Sequence, residues 1–190
     1  MRLVAGLGNP GERYRRTRHN LGFFVIDVLA ARSDARAARE EGEAWVAEAE
    51  VGGEPALLVK PLLFMNRSGV PIDRLMVQHA LAPSDLVVVV DDAALEIGTL
   101  RIREGGSHGG HNGLRSIIDL LGTDDFPRVR VGIRKGDPPE DLAAFVLADF
   151  PPEDVLVVQE VVGWAADAVA CLVREGAEEA MNRYNGPRRG

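Results

Sequence analysis

The sequence predicts an α/β protein: a single-domain α/β/α sandwich with a mixed, twisted central sheet. Three observations carry this. Apolar or alternating runs at 3–7, 45–51, 56–60, 86–90 and 128–134 read as strands, and segments with a helical apolar repeat stand between them. Residues 86–90 form an unbroken apolar run with four valines, the pattern of a strand covered on both faces. No internal repeat and no linker rich in Gly, Pro or Ser divides the 190 residues, so 1–190 is expected as one domain with a sizeable core, 181–190 being a candidate flexible tail.

The elements follow in order. Residues 3–7 make a short buried strand that runs into a glycine-rich turn, Gly6-Leu7-Gly8-Asn9-Pro10-Gly11. Glycine permits backbone angles that other residues resist, and Pro10 fixes φ, so the turn is rigid. A basic loop leads to His19-Asn20. Leu21, Phe24, Val25, Val28 and Leu29 then mark a helix over 20–31. Residues 32–43, polar and alanine-rich, read as a helix tail or loop. The runs 45–51 and 56–60 flank Gly52-Gly53-Glu54-Pro55, a hairpin signal. Pro61 ends the second of them. Phe64-Met65-Asn66 lies in a loop, and Ser68-Gly69 leads to a second helix with Val70, Leu75 and Met76 on its apolar side. Pro83-Ser84-Asp85 breaks it before the 86–90 strand, which is expected to end at Asp91-Asp92. Leu100 and Ile102 alternate with arginines as a half-exposed strand. Residues 105–113 form a glycine-rich loop, and Leu114, Ile117, Ile118 and Leu121 mark a third helix. Residues 128–134 alternate as a strand with a basic face. Pro138-Pro139 opens a loop or helical segment to Phe150. Val155, Val158, Val162, Ala165, Val169 and Leu172 mark a long amphipathic helix, and a short helix near Ala180 stops before Asn185-Gly186-Pro187.

A content of 46% hydrophobic and 27% charged residues argues against disorder. No apolar run is expected to reach membrane-spanning length, and no signal pattern opens the chain. A single cysteine, Cys171, allows no internal disulfide and suits a reducing cytoplasm. The net charge of −7 is unevenly spread. Residues 1–20 carry five arginines and one acid, and 97–135 carry seven basic and four acidic residues. Residues 136–180 carry one basic and eleven acidic residues. Such a chain can present a basic face to a polyanion and keep an acidic back.

Gly6-x-Gly8-x-x-Gly11 after a strand matches a dinucleotide fingerprint. That fingerprint needs a helix to start at the glycines, whereas the helical stripe here begins at Leu21. His108-x-x-His111 has the look of a metal pair but no third ligand at a regular spacing, so no metal is expected. Cys171 falls on the apolar side of the long helix and reads as a small hydrophobe. His19 is the leading candidate for chemistry, at a loop-to-helix boundary beside the rigid turn. Asp91 stands at the carboxyl end of the strongest strand, where α/β sheets place their sites. An Asp bonded to a His fixes its tautomer and stabilises the imidazolium that forms. With no nucleophile in sight, the pair would activate water directly. Asn9, Asn66 and Asn112 each sit in a turn or glycine-rich context and can donate to a developing oxyanion without adding charge.

These residues also carry a resemblance. Gly6-Leu7-Gly8-Asn9-Pro10-Gly11 followed by Tyr14, Thr17, Arg18, His19 and Asn20 resembles the opening of the bacterial peptidyl-tRNA hydrolase family. Lys60-Pro61, Phe64-Met65-Asn66 and Ser68-Gly69 look like its second block, and Asp91-Asp92 followed by Gly98 its third. Gly109-Gly110-His111-Asn112-Gly113 with Arg128-Val129-Arg130-Val131-Gly132-Ile133 is similar to the fourth, and Phe145-Val146-Leu147 to the fifth. The blocks occur in family order over nearly the whole chain. One departure is clear: the family often continues Leu-Asp-Leu-Pro after its paired acids, and this chain has Ala93-Ala94-Leu95-Glu96. The resemblance implies hydrolysis of the ester between a peptide and the 3′-terminal ribose of tRNA. It implies His19 as general base, Asp91 as its orienting partner, and Asn9 as a binder of the peptide or oxyanion. Tyr14, Phe64, Asn66 and Asn112 would contact substrate, Met65 and His111 would line the cleft, and Arg103 and Arg130 would grip tRNA phosphate. It implies no metal or organic cofactor and a monomer. A non-catalytic RNA-binding relative and a dinucleotide-binding protein are the alternatives.

Overall fold

The computed structural model describes residues 1–188. The strands are β1 (Arg2–Gly6), β2 (Arg36–Glu41), β3 (Ala44–Val51), β4 (Glu54–Pro61), β5 (Leu86–Glu96), β6 (Thr99–Arg103), β7 (Arg128–Arg134) and β8 (Gly186–Pro187). The helices are α1 (Leu21–Arg32), α2 (Gly69–Gln78), α3 (Asn112–Leu121), α4 (Leu142–Val146), α5 (Val155–Glu175) and α6 (Ala177–Tyr184). One sheet joins the strands in the order β2-β3-β4-β1-β5-β7-β6-β8. β4, β1, β5 and β7 are parallel at its centre, and antiparallel strands flank them, so the sheet is mixed as expected.

The valine run explains the layering. Side chains alternate across a strand. Val87 and Val89 join Leu21, Val25 and Ile26 of α1 and Val158, Val162 and Val169 of α5 on one face. Val88 and Val90 join Ile72, Leu75 and Met76 of α2 and Leu114 and Ile117 of α3 on the other. Each such side chain contributes about 1.5–3 kcal/mol on full burial, so the strand between the two helical layers is the main anchor of the sandwich. β1 lies between β4 and β5, with Val4 opposite Leu58 and Val87. The chain leaves β1 to reach β4 on one side and later β5 on the other. A crevice forms beyond the carboxyl ends of parallel strands at such a reversal.

Several elements differ from the sequence reading. Residues 36–41, expected as helix tail or loop, form β2 at the sheet edge. Its residues are exposed or half-buried, so no alternation announces it. The Arg39–Glu41 and Arg39–Glu48 ion pairs keep this edge charged, which protects it against pairing with another chain. β5 does not stop at Asp91-Asp92 but pairs with β7 again at Glu96–Arg134 after a register shift. The unbroken apolar run ends there, while the strand continues to Glu96. Contrary to expectation, one helix among the described residues, Pro152–Glu175, is long and apolar enough by composition to cross a membrane. In this fold it is a core helix whose inner side packs on the sheet. The stretch 181–188, expected as a loose tail, completes α6 and adds β8 against β6, while Arg189 and Gly190 of that tail lie outside the described residues.

Candidate active site

The turn after β1 stays attached to the sheet, because the Leu7 N–H donates to the Val89 carbonyl at 3.0 Å. Of its three glycines only Gly11 takes a positive φ, +100°. Two separate 3₁₀ turns, Glu12–Tyr14 and Arg18–Asn20, carry the chain on to α1. No helix starts at the glycines, so the arrangement that places a pyrophosphate on a helix N-terminus is missing.

Asn9 is held by its neighbours. Asn20 accepts from the Asn9 backbone N–H at 2.8 Å and donates back to the Asn9 carbonyl at 2.9 Å. Asn20 is a scaffold residue that sequence reasoning missed; its direct adjacency to His19 was the available signal. The Asn9 Oδ1 accepts from the Met65 N–H at 2.7 Å. A backbone N–H can only donate, so the amide oxygen faces Met65 and the Asn9 NH₂ group is left to donate elsewhere.

Asp91, 2% exposed, accepts on one oxygen from two histidines. His19 Nδ1 lies at 2.8 Å and His111 Nε2 at 3.1 Å from its Oδ1, and the two rings are 5.0 Å apart between centroids. Asp91 Oδ2 is buried without a partner among the described residues. Burial pushes the Asp91 carboxyl upward. The charge of His19 and the hydrogen bonds from both rings outweigh it and hold Asp91 below the ordinary carboxylate range. An ionised carboxylate only accepts, so both facing nitrogens carry hydrogen. The neutral form of His19 then leaves Nε2 bare, the atom a general base needs. His111 plays a second part. As N-cap of α3 its Nδ1 accepts from the Gly113 and Leu114 N–H groups at 3.2 and 3.3 Å. Gly113 allows this close seat, since a Cβ there would fall 2.6 Å from Leu7 Cδ1 and Met65 Sδ.

One ring nitrogen each of His19 and His111 and an Asp91 oxygen lie within 4.8 Å of one another, close enough by distance to surround a cation. The chemistry of His111 does not fit. Its Nδ1 lone pair caps α3, so Nε2 keeps its proton and has no lone pair for a metal. His108 is not in the cluster, and its Nδ1 accepts from the Gly110 N–H at 3.0 Å.

A cavity of about 500 Å³ opens over His19, Asp91 and His111. Gly109, Gly110, Asn112, Arg130, Ala93, Ala94 and residues of α4 also line it; among the described residues no serine, threonine or cysteine does. Asn66 and Asn112 are exposed, and Met65 is buried. Phe64 is exposed, with its ring edge-on to Tyr14 at 6.1 Å. The arginines split. Arg130, 12% exposed in its side chain, is bound to Asp92 at 2.8 Å. Arg128, fully buried, donates to the carbonyls of Asp124 and Phe126 and pins the 105–108 loop through Gly106. Arg101 and Arg103 are exposed on β6. At the departure from the family pattern, Asp92 Oδ1 accepts from the Ala94 N–H at 2.9 Å and shapes the turn of the strand.

A buried carboxylate bonded to two histidines, in a crevice lined among the described residues by no serine, threonine or cysteine, fits a hydrolase of the α/β class. Comparison with known proteins makes this particular. The sequence model of the peptidyl-tRNA hydrolase family matches residues 3–190. The peptidyl-tRNA hydrolase of Alkaliphilus oremlandii is 46% identical over 98% of this chain and its own full length. That of Mycobacterium tuberculosis is 47% identical over 96% of each. The crystal structure of the Acinetobacter baumannii peptidyl-tRNA hydrolase superposes with a TM-score of 0.88 at 30% identity, covering 97% of this chain and 96% of that one. The chain belongs to the peptidyl-tRNA hydrolase family.

Proposed function

We propose that this chain hydrolyses the ester between a peptide and the 3′-terminal ribose of tRNA, with His19 as general base and Asp91 as its orienting partner. The observation that carries the assignment of roles is the 2.8 Å contact between His19 Nδ1 and a buried Asp91 in a cleft without a nucleophile. His19 Nε2 takes a proton from water as the water oxygen bonds to the ester carbon. The carbonyl oxygen becomes negative, and the Asn9 NH₂ group donates to it or to the neighbouring peptide carbonyl. When the carbon–oxygen bond to ribose breaks, His19 returns the proton to the leaving ribose oxygen. The peptide leaves as its carboxylic acid, and the bare tRNA is free for reuse. Asp91 stabilises the imidazolium in between, and His111 fixes Asp91.

The remaining assignments follow the same reading. Asn66 and Asn112 contact the peptide from the rim, Tyr14 and Phe64 give it an aromatic edge, and Met65 holds Asn9. Arg103 grips phosphate directly, whereas Arg130 acts through Asp92 and by adding charge to the cleft. The proposed enzyme is a cytoplasmic monomer, and its mechanism uses no metal and no organic cofactor.

The test is release of the peptide from N-blocked aminoacyl-tRNA. Wild type is expected to release it, and His19→Ala to lose about two or more decades in kcat. A wild type that releases nothing overturns the function; full activity in His19→Ala overturns the choice of base.

A further inference from the structure

We infer that Arg18 is a positioning residue that holds the α4 wall of the cleft against the segment bearing the base, and so sets how tightly peptidyl-tRNA is bound; this rests on the function proposed above.

α4 cannot place itself. It has five residues, none of them buried, and so short a helix has no stability of its own. Yet Leu142, Ala143 and Val146 of α4 line the same cavity as His19 and Asp91. What fixes this wall comes largely from the chain just before His19. The Arg18 backbone N–H donates to the Ala148 carbonyl at 3.0 Å. Its guanidinium donates to the Phe145 and Ala148 carbonyls at 3.2 and 3.3 Å, each of which also accepts a backbone N–H at the end of α4. The same guanidinium lies 4.3 Å from the Phe145 ring centroid and 5.5 Å from that of Phe150. Thr17 pairs with Asp149 as an isolated antiparallel bridge, and Arg16 lies 3.6 Å from Asp149. The base of the segment is closed separately by Lys135 and Asp154 at 2.7 Å. Arg18 thus ties the middle of the 136–153 segment. One guanidinium nitrogen, Nη1, makes both carbonyl contacts, so a lysine could supply the charge and donors there but not the planar face that stacks on Phe145.

This tie is distinct from the chemistry. His19 is held by Asp91 of β5 and by the start of α1, and Asn9 by Asn20 and Met65. Loss of Arg18 therefore acts on binding more than on turnover. In steady-state hydrolysis of N-blocked aminoacyl-tRNA, Arg18→Ala is expected to raise KM about tenfold, while kcat stays within about threefold. Arg18→Lys should recover part of the loss. Phe145→Leu, which keeps both carbonyls, should raise KM less, and the double variant should fall short of the product of the two single effects. An unchanged KM in Arg18→Ala, a loss confined to kcat, or fully independent effects in the double variant each overturn the inference. Hydrogen exchange decides the tie without activity. The 142–150 amides should exchange faster in Arg18→Ala while those of β5 do not change, and equal protection in both proteins overturns it. A wild type without hydrolytic activity sinks the proposed function alone and leaves the exchange result to decide the tie.

Discussion

The candidate centre around Asp91 and the β6–β7 flank treat charge in opposite ways. In the centre, every charge has a fixed partner: Asp91 takes two histidine donors, and Asp92 takes Arg130. On the flank, Arg101 and Arg103 stand exposed and make no ion pair among the described residues, although Arg128, directly across from Arg103, is buried and bonded to carbonyls. A buried charge is desolvated, so it needs partners at fixed distance and acts through geometry. An exposed charge is screened and acts through number. The first arrangement suits proton transfer at one atom. The second suits a polyanion that must bind and then leave.

Breaking the centre should hit turnover hardest. After His19→Ala, the next largest effect is expected from Asp91→Asn, with kcat down by about two decades and KM little changed, measured by the same hydrolysis assay. The same variant probes the low carboxyl pKa. A carboxyl lowered on folding stabilises the protein above its unfolded value of about 3.9, and the contribution is lost as pH falls through the folded value. Wild type is therefore expected to lose more stability than Asp91→Asn as pH falls below about 5, read from denaturation midpoints. The opposite trend would show that Asp91 is not held ionised by the two rings.

A smaller effect tests whether His111 belongs to the centre or only to α3. His111→Ala removes a helix cap, worth about 1 kcal/mol, and one donor to Asp91. His111→Asn keeps capping ability but does not reach Asp91 as the ring does. If His111 serves both, Asn should restore thermal stability and leave kcat several-fold low; recovery of both would reduce His111 to a cap.

The smallest expected effect lies on the flank. Arg103→Ala should weaken tRNA binding a few-fold and flatten the slope of log K against log salt by about one unit, with single-turnover rate unchanged at saturation. Arg130→Ala should differ, because it also frees buried Asp92 and so lowers the rate. Equal behaviour of the two variants would erase the contrast between paired and unpaired arginines.

Much of this molecule is readable in the chain. The valine run, the helical stripes and the Gly-Gly hairpin depend on neighbours in sequence, and they fix the layers of the sandwich. His19, Asn9 and Asp91 were legible as candidates, because each is a polar residue beside a glycine-rich turn, at the start of a helical stripe or at the end of an apolar run. β2 was not legible, since an edge strand solvated on both sides has no period to read. α4 was legible only as a loop or helical segment before Phe150, since none of its five residues is buried to give it a stripe.

What the sequence by itself determined, then, is the layering of the sandwich and the family, with His19 and Asp91 offered as candidates for the chemistry. Only the tertiary structure decided the wiring. Val90 pairs with Arg130 and Asp92 with Gly132 across β5 and β7, which makes Arg130 and Asp92 diagonal neighbours on one face of the sheet. His111 reaches Asp91 because α3 seats closely on Leu7 and Met65. Such contacts join residues twenty or more positions apart. They depend on strand register and on packing to within an ångström, and no local pattern in a chain records either.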